Sequence, residues 1–398
     1  MDKSKILALT EKLLFGYLLL FPFGQLLALK ANIFGVNLRV HPTDLIILPF
    51  IVVFISKGIF YPKFSGYLKT LGVLGAFSLA LSLAFLSPER VTIGAFYFLR
   101  IVSYSALLLA VYNLVRVKVE YKRTLFLAII VVCLEVAIFG LIQYFFLPDL
   151  RFLFFFGWDD HLYRLAGAFL DPGFTAIILA TGALLALCLF LEEKSKAIFW
   201  IMTLLFISLL LTYSRAGFLA FSVGLLVIFL KTKKGVATLL GVGLLVSLFL
   251  LPRPEGYGVR LERTHSIVSR LQNYQETLLI FRKSPVFGVG FNNMCAARAK
   301  ILGDSQLDSH ACSGADSSLL LILATGGTVG LVLVLYFLVG VLKSLDNSIY
   351  SLGFLASLSA LIVNSQFINS LIYPWVMGIM AILGGLALSK PSKGKMLP

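Results

Sequence analysis

This chain of 398 residues is 59% hydrophobic and only 13% charged, with a mean hydropathy of +0.95 and a formal net charge of +15. Such a balance excludes a soluble globular domain, in which charged residues make up about a quarter of the chain, and identifies a polytopic membrane protein. The positive charge does not point to nucleic acid, because lysines and arginines are segregated by type along the chain instead of forming one basic patch.

Apolar runs long enough to cross a hydrocarbon core about 30 Å thick predict spans at 13–29, 43–56, 67–87, 92–115, 125–147, 172–191, 197–213, 216–230, 235–251, 317–342, 348–367 and 370–389. The expected fold class is therefore all-α, a polytopic bundle of about twelve transmembrane helices. The first span follows Lys3 and Lys5 without a small-residue cleavage site, so it reads as a retained signal anchor. His41 and Asp44 crowd the start of the second, where a tilted or interfacial helix also fits. The chain divides into five spans (1–147), an outer segment with four more (148–251), a long polar loop (252–316), and three closing spans with a tail (317–398).

Arg116, Lys118, Lys122 and Arg123 lie in one short loop, Lys194 and Lys196 in another, Lys231, Lys233 and Lys234 in a third, and Lys390, Lys393 and Lys395 in the tail. With twelve spans these all fall on the side of the N-terminus, which the positive-inside rule makes the cytoplasm. Most arginines fall on the opposite side, against that rule. Planar guanidinium forks there suit phosphate or carboxylate; ordinary pairing with the loop acids Asp159, Asp160, Glu255, Glu262 and Asp304 is the lesser alternative. Inside the bundle, Arg100 in the fourth span and Glu135 in the fifth can pair across adjacent antiparallel helices, or Arg100 can face substrate. Gln143 can bridge helices or line a cavity.

Within the long loop, Leu261, Val268, Leu271, Tyr274, Leu278, Leu279 and Phe281 recur at mostly helical spacing among Arg260, Arg263, Arg270 and Arg282. That pattern predicts an amphipathic helix at the membrane face. Ser284-Pro285-Val286-Phe287-Gly288-Val289-Gly290 should end it, and residues 292–316 read as an irregular lid over an outward-facing site. Cys133 and Cys188 fall inside spans, whereas Cys295 and Cys312 share the loop and form a disulfide if the compartment is oxidising.

Four polar clusters concentrate on the predicted outer side. They are Arg164 to Pro172; Thr212-Tyr213-Ser214-Arg215-Ala216-Gly217; Arg270 with the Ser284–Gly290 run; and His310, Asp316, Ser317 and Ser318 leading into the tenth span. Arg215 has almost no loop by which to leave the membrane, and an arginine at that depth needs a partner or a watery cavity. Asp316 and Ser317 can orient an acceptor, or simply cap the helix that follows. The four histidines are scattered and no phosphate-binding glycine loop with lysine is present, so no metal, cofactor or ATP is expected.

From about residue 90 to 340, these clusters resemble the O-antigen ligase and polymerase superfamily of bacterial envelope glycosyltransferases. The resemblance is carried by Arg164-x-x-Gly167-x-Phe169-x-x-Pro172, by Thr212-x-Ser214-Arg215, and by Arg270 with Pro285-Val286-Phe287-Gly288-Val289-Gly290. It implies a multi-pass enzyme of the bacterial inner membrane with both termini cytoplasmic, acting at the extracytoplasmic face on glycans carried by undecaprenyl diphosphate. Membrane lipid and a chain-length regulator are further candidate partners. On this reading the catalytic candidates are Arg215, Arg270, Asp316 and His310, and the substrate-binding candidates Arg164, Arg100, Gln143, Asp171, Ser214, Tyr274 and Ser317.

The sequence departs from the ligase pattern in one respect. Ligases place a histidine at the outer start of a Leu-rich span that continues to Glu-x-Gly; here that register holds Asp316-Ser317-Ser318-Leu319, with Ala324-Thr325-Gly326 further on, and His310 lies six residues early. Gly173 also stands where asparagine commonly follows the proline. The expectation is therefore a polymerase joining two lipid-linked oligosaccharides. A ligase transferring glycan to lipid A core or to a protein is the alternative, and a transporter or flippase a third reading.

Overall fold

Hydrocarbon offers backbone amides no water, so a chain of this composition must satisfy them internally, as helices. The computed structural model describes residues 3–389 except 34, 35, 57, 58, 85, 234, 255, 304–311 and 313. Helix α1 (Lys3–Leu20) tightens into 3-10 turns over Phe21–Leu27 and leads into a hairpin of β1 (Leu29–Ile33) and β2 (Val36–Val40), paired antiparallel with Leu29 opposite Val40. The second apolar run is broken into α2 (Pro42–Ile47), a 3-10 turn over Leu48–Ile51 and α3 (Val52–Ile55). Pro49, which has no N–H to give, sits at the interruption.

The chain continues through α4 (Phe64–Ser82), α5 (Pro88–Val117), α6 (Tyr121–Phe146), α7 (Pro172–Glu193), α8 (Lys196–Leu211), α9 (Arg215–Thr232) and α10 (Gly235–Leu250). Next come α11 (His265–Lys283) and α12 (Met294–Leu302) in the long loop, then α13 (Ser318–Ser344), α14 (Ile349–Asn364) and α15 (Pro374–Leu388). Among the described residues, seven helices are long and apolar enough to cross a membrane, and five further apolar helices are shorter, at Pro42–Phe54, Lys196–Leu211, Gly235–Ser247, Ile349–Asn364 and Pro374–Leu388. Seven of the expected spans are thus helices of full length, and the other five apolar runs form the shorter helices, which leaves the count of twelve crossings unconfirmed. Hydropathy merges helix with turn: the 197–213 run, for example, stops being helical at Leu211, where the turn to α9 begins.

Helix α7 is the axis of the bundle, with 89% of its most apolar stretch buried. It packs on α6, α8, α9 and α14, while α15 lies along α5. Small residues permit this closeness: a Cβ at Gly182 would lie 2.4 Å from Cys133 Cβ. Two expectations inside the bundle are corrected. Arg100 is paired with Asp44 of α2 at 2.6 Å and not with Glu135, whose side chain is exposed on α6. Residues 292–316 are not wholly irregular, since they include α12, and the disulfide Cys295–Cys312 (Cα–Cα 4.7 Å) ties that helix to the segment entering α13.

Helix α13 is interrupted at Gly327, whose φ of 68° leaves the helical region. The segment Pro285–Gly290 fills the break. Val289 and Gly290 donate their N–H groups to the carbonyls of Ala324 and Thr325, while Thr328 and Val329 donate to those of Pro285 and Val286, all at 2.9–3.2 Å. Backbone approaches backbone so closely that a Cβ at Gly327 would meet the Val286 carbonyl oxygen at 2.1 Å, and one at Gly288 the Thr325 carbonyl carbon at 2.3 Å. The Pro-Val-Phe-Gly-Val-Gly run therefore does more than end α11. It clasps the two halves of α13, and Ser78 of α4 donates to Phe287 and Thr325 carbonyls at the same place.

Candidate active site

Five of the sequence-predicted arginine and carboxylate positions meet in one cavity of about 530 Å³ at the end of the bundle where α7, α9 and α13 begin. Its wall carries Arg164, Asp171, Arg215, Arg270 and Asp316, and also Arg39, Arg263, Asp159 and His161. Five guanidinium groups thus face three carboxylates. The amino ends of α7 and α9, capped by Asp171 and Ser214, also open here and add the positive end of each helix dipole.

The segment before α7 is folded by its own backbone. Leu150 donates to His161 and Tyr163 to Pro148, and Gln143 Oε1 accepts from the N–H groups of Ala166 and Gly167 at 2.9 and 3.0 Å. Gln143 is therefore spent on bracing this turn and does not line the cavity. Asp171 accepts from Gly173 and Phe174 N–H at 2.6 and 3.0 Å, so its first role is the α7 cap. The brace presents Arg164, whose Nε donates to the Thr212 carbonyl at 3.1 Å. Burial, and Arg263 nearby, push the Arg164 guanidinium down to about 9, still charged at neutral pH.

The turn into α9 places Tyr213 at φ 51° and anchors its hydroxyl on the Pro252 carbonyl. Ser214 caps α9 by accepting from Gly217 N–H. Arg215 then reaches outward and donates to the carbonyls of Leu261 (3.1 Å) and Arg263 (2.9 Å) and to Ser266 Oγ (2.7 Å). It pins the start of the amphipathic helix as well as charging the cavity. Arg263 donates to the Gly258 and Arg260 carbonyls at 2.8 Å. Burial, then Arg215 and Arg270, which line the same cavity, lower it to about 10.

Helix α11 supplies the other wall. Arg270 and Asn273 are one turn apart and share a face. Arg270 makes no hydrogen bond or ion pair within the described residues and points its charge into the cavity. Asn273 Oδ1 accepts from the Asp316 N–H at 2.9 Å, fixing that residue opposite. Ser317, and not Asp316, caps α13, accepting from Leu320 N–H, so the Asp316 carboxyl is left to the cavity. Burial raises its proton affinity, opposed by Arg270 and Arg298. Asp159 is raised likewise by burial and by Asp171 and Asp160, and burial holds His161 down to about 4, hence neutral.

Gln143 and Ser317 are not on the cavity's lining, and Arg100 and Tyr274 line other crevices. Arg100 lies in a separate crevice of about 210 Å³ between α2 and α5, not in the arginine cavity. Tyr274 donates its hydroxyl to the Gln366 carbonyl and faces an adjoining apolar crevice of about 310 Å³, which it shares with Arg215, Arg270 and Phe367. His310 lies outside the described residues. The sequence reading missed Asn273 and Arg39, whose guanidinium stacks on Trp158 at 4.7 Å, and it passed over Arg263 as part of an amphipathic pattern. Among the described residues no group of three or more His, Cys, Asp or Glu side chains converges to hold a metal ion. What the cavity offers is fixed positive charge in excess of its three carboxyls, an arrangement suited to holding an anionic group beside a proton acceptor.

The O-antigen ligase family model matches residues 198–335, which run from α8 through the long loop into α13 and include Arg215, Arg263, Arg270 and Asp316. Over those residues the chain is similar to that family, and its apolar helices are those of a multi-pass membrane protein. No curated protein sequence matches the chain.

Proposed function

We propose that this protein joins undecaprenyl-diphosphate-linked oligosaccharides into a longer surface polysaccharide, with the arginine cavity as its extracytoplasmic reaction chamber. The reading rests most on Arg270, unengaged within the described residues, lining the same cavity as Asp316, whose backbone N–H is held by Asn273. Arg215 and Arg270 grip the donor's diphosphate, with Arg164 and Arg263 adding to the field. Asp316 takes the proton from the acceptor hydroxyl as its oxygen attacks the anomeric carbon. The bond from that carbon to the diphosphate oxygen breaks, and its electron pair stays on the diphosphate, whose growing charge the guanidinium groups stabilise. Undecaprenyl diphosphate leaves, and the energy of the donor's own phosphate ester drives the transfer.

A ligase is the second reading, favoured by the description of the family matched over 198–335. One assay separates them. Purified protein incubated with lipid-linked oligosaccharide alone should yield a ladder of lengthening glycans if it polymerises. Glycan that appears only on added lipid A core or protein makes it a ligase, and no product under either condition removes both.

A further inference from the structure

Two crevices border the arginine cavity, and each shares arginine with it. The first, lined by Leu219, Ile267, Leu271 and Phe367, ends at Arg215 and Arg270. The second lies between α2 and α5, and Arg39 stands on its wall as well as on the cavity's. That second crevice is apolar along Leu45, Leu48, Phe96 and Leu99, and it opens on the outside of the bundle, where Leu45 is 59% and Phe96 49% exposed. At its polar end, Arg100 Nη2 binds Asp44 at 2.6 Å and the Arg39 carbonyl at 3.3 Å. The Arg100 charge is therefore matched by Asp44, while the backbone that carries Arg39 is fixed at the junction of crevice and cavity.

An apolar wall that shares the Arg39 guanidinium with the cavity complements a molecule with an isoprenoid tail and a diphosphate head. We infer that the α2–α5 crevice is a second polyprenyl-diphosphate site, which holds the carrier lipid of the acceptor with its diphosphate at Arg39, while the crevice at Arg215 and Arg270 holds that of the donor. The inference rests on the proposed joining of two lipid-linked glycans, a reaction that brings two such carriers to one cavity. Arg100 is a positioning residue in this scheme, acting on the acceptor through Arg39.

The test is photo-crosslinking of the full-length protein in phosphatidylethanolamine–phosphatidylglycerol vesicles with a polyprenyl diphosphate bearing a diazirine on its tail, followed by peptide mapping. Label is expected on peptides bearing Leu45 or Phe96 and also on peptides bearing Ile267 or Leu271, and excess unlabelled polyprenyl diphosphate should displace both. Arg39→Gln, and separately Leu99→Trp, which fills a crevice wall already 38% exposed, should lower label at Leu45 and Phe96 about tenfold, the loss of one good contact, and spare Ile267 and Leu271. Arg39→Lys should retain part of it.

Absence of label from the Leu45–Phe96 wall, equal displacement there by phosphatidylglycerol, or indifference to Arg39→Gln and Leu99→Trp alike overturns the second site. The glycan ladder is scored separately on the same wild-type preparation. A ladder with label at one crevice only refutes this inference alone, whereas label at both with no ladder refutes the polymerase reading and leaves the second site standing.

Discussion

Replacing Arg270 by alanine isolates charge from scaffold. The side chain is half-buried and makes no hydrogen bond or ion pair within the described residues, so its loss orphans no partner there. Stability should stay within about 0.5 kcal/mol of the parent, as for a substitution away from packing and hydrogen bonds. Catalysis should fall roughly 10²- to 10³-fold, about 2.7–4 kcal/mol, the cost of removing one preorganised donor from a developing anion. Arg270→Lys should recover only part of this, because it restores a charge but not a fork. Arg215→Ala is the contrast. It breaks three hydrogen bonds to the 261–266 segment, and should cost at least about 2 kcal/mol of stability besides activity. Rates of ladder formation and thermal unfolding in detergent, measured on the same samples, provide the comparison. An Arg270→Ala protein that polymerises within twofold of the parent would refute the clamp.

Asp316→Asn should abolish transfer and yet leave the protein as stable or more stable near neutral pH. The folded state raises this carboxyl's proton affinity, so ionising it costs stability as pH rises through the window from its unfolded to its raised folded value, and asparagine escapes that cost. In the parent, the acidic limb of the rate profile should lie above the ordinary carboxylate range; a limb at or below that range argues for another base. His310→Ala separates the two readings, since a polymerase that uses Asp316 keeps its ladder while a ligase loses transfer. Gly327→Ala or Gly288→Ala should destabilise by more than about 1–3 kcal/mol, the cost of the backbone strain alone, because the added Cβ also meets backbone at 2.1 and 2.3 Å; unaltered unfolding would remove the clasp from the account. Cys295→Ser should change mobility on non-reducing gels and cost about 3 kcal/mol, as expected for closing a loop of this length, and unchanged mobility would show that the thiols are not joined.

Local chemistry was legible in the sequence, and pairing between distant segments was not. The amphipathic helix is announced by its spacing, and Arg164, Arg215, Arg270 and Asp316 by polar groups standing at the ends of apolar runs. Arg39 gave no such signal, because it reaches the cavity only through a hairpin more than a hundred residues before the other arginines. The partner of Arg100 was misread for a related reason. Helix α5 touches α2 as well as α6, and which acid meets the guanidinium depends on helix rotation, which hydropathy does not specify. Asp171 and Ser214 line the cavity and Gln143 and Ser317 do not; short polar side chains at helix starts bond backbone first, and Asp171, Ser214 and Ser317 are caps.

The interruption of α13 has a bearing on the lipid around the protein. Gly327 lies nine residues below Ser318, roughly 14 Å into the helix at 1.5 Å per residue, which is near mid-depth of a bilayer. Above it, the clasp fixes the segment carrying Asp316 to Ser78; below it, the remaining turns lean on α4 through the Tyr67–Tyr336 ring contact at 4.8 Å. The clasp bonds both pieces and both pack on α4, so they tilt as one in spite of the glycine. A thicker or thinner membrane is then met by α13 moving together with α4 and the 285–290 segment, since hydrophobic mismatch must be taken up by some part of any spanning helix.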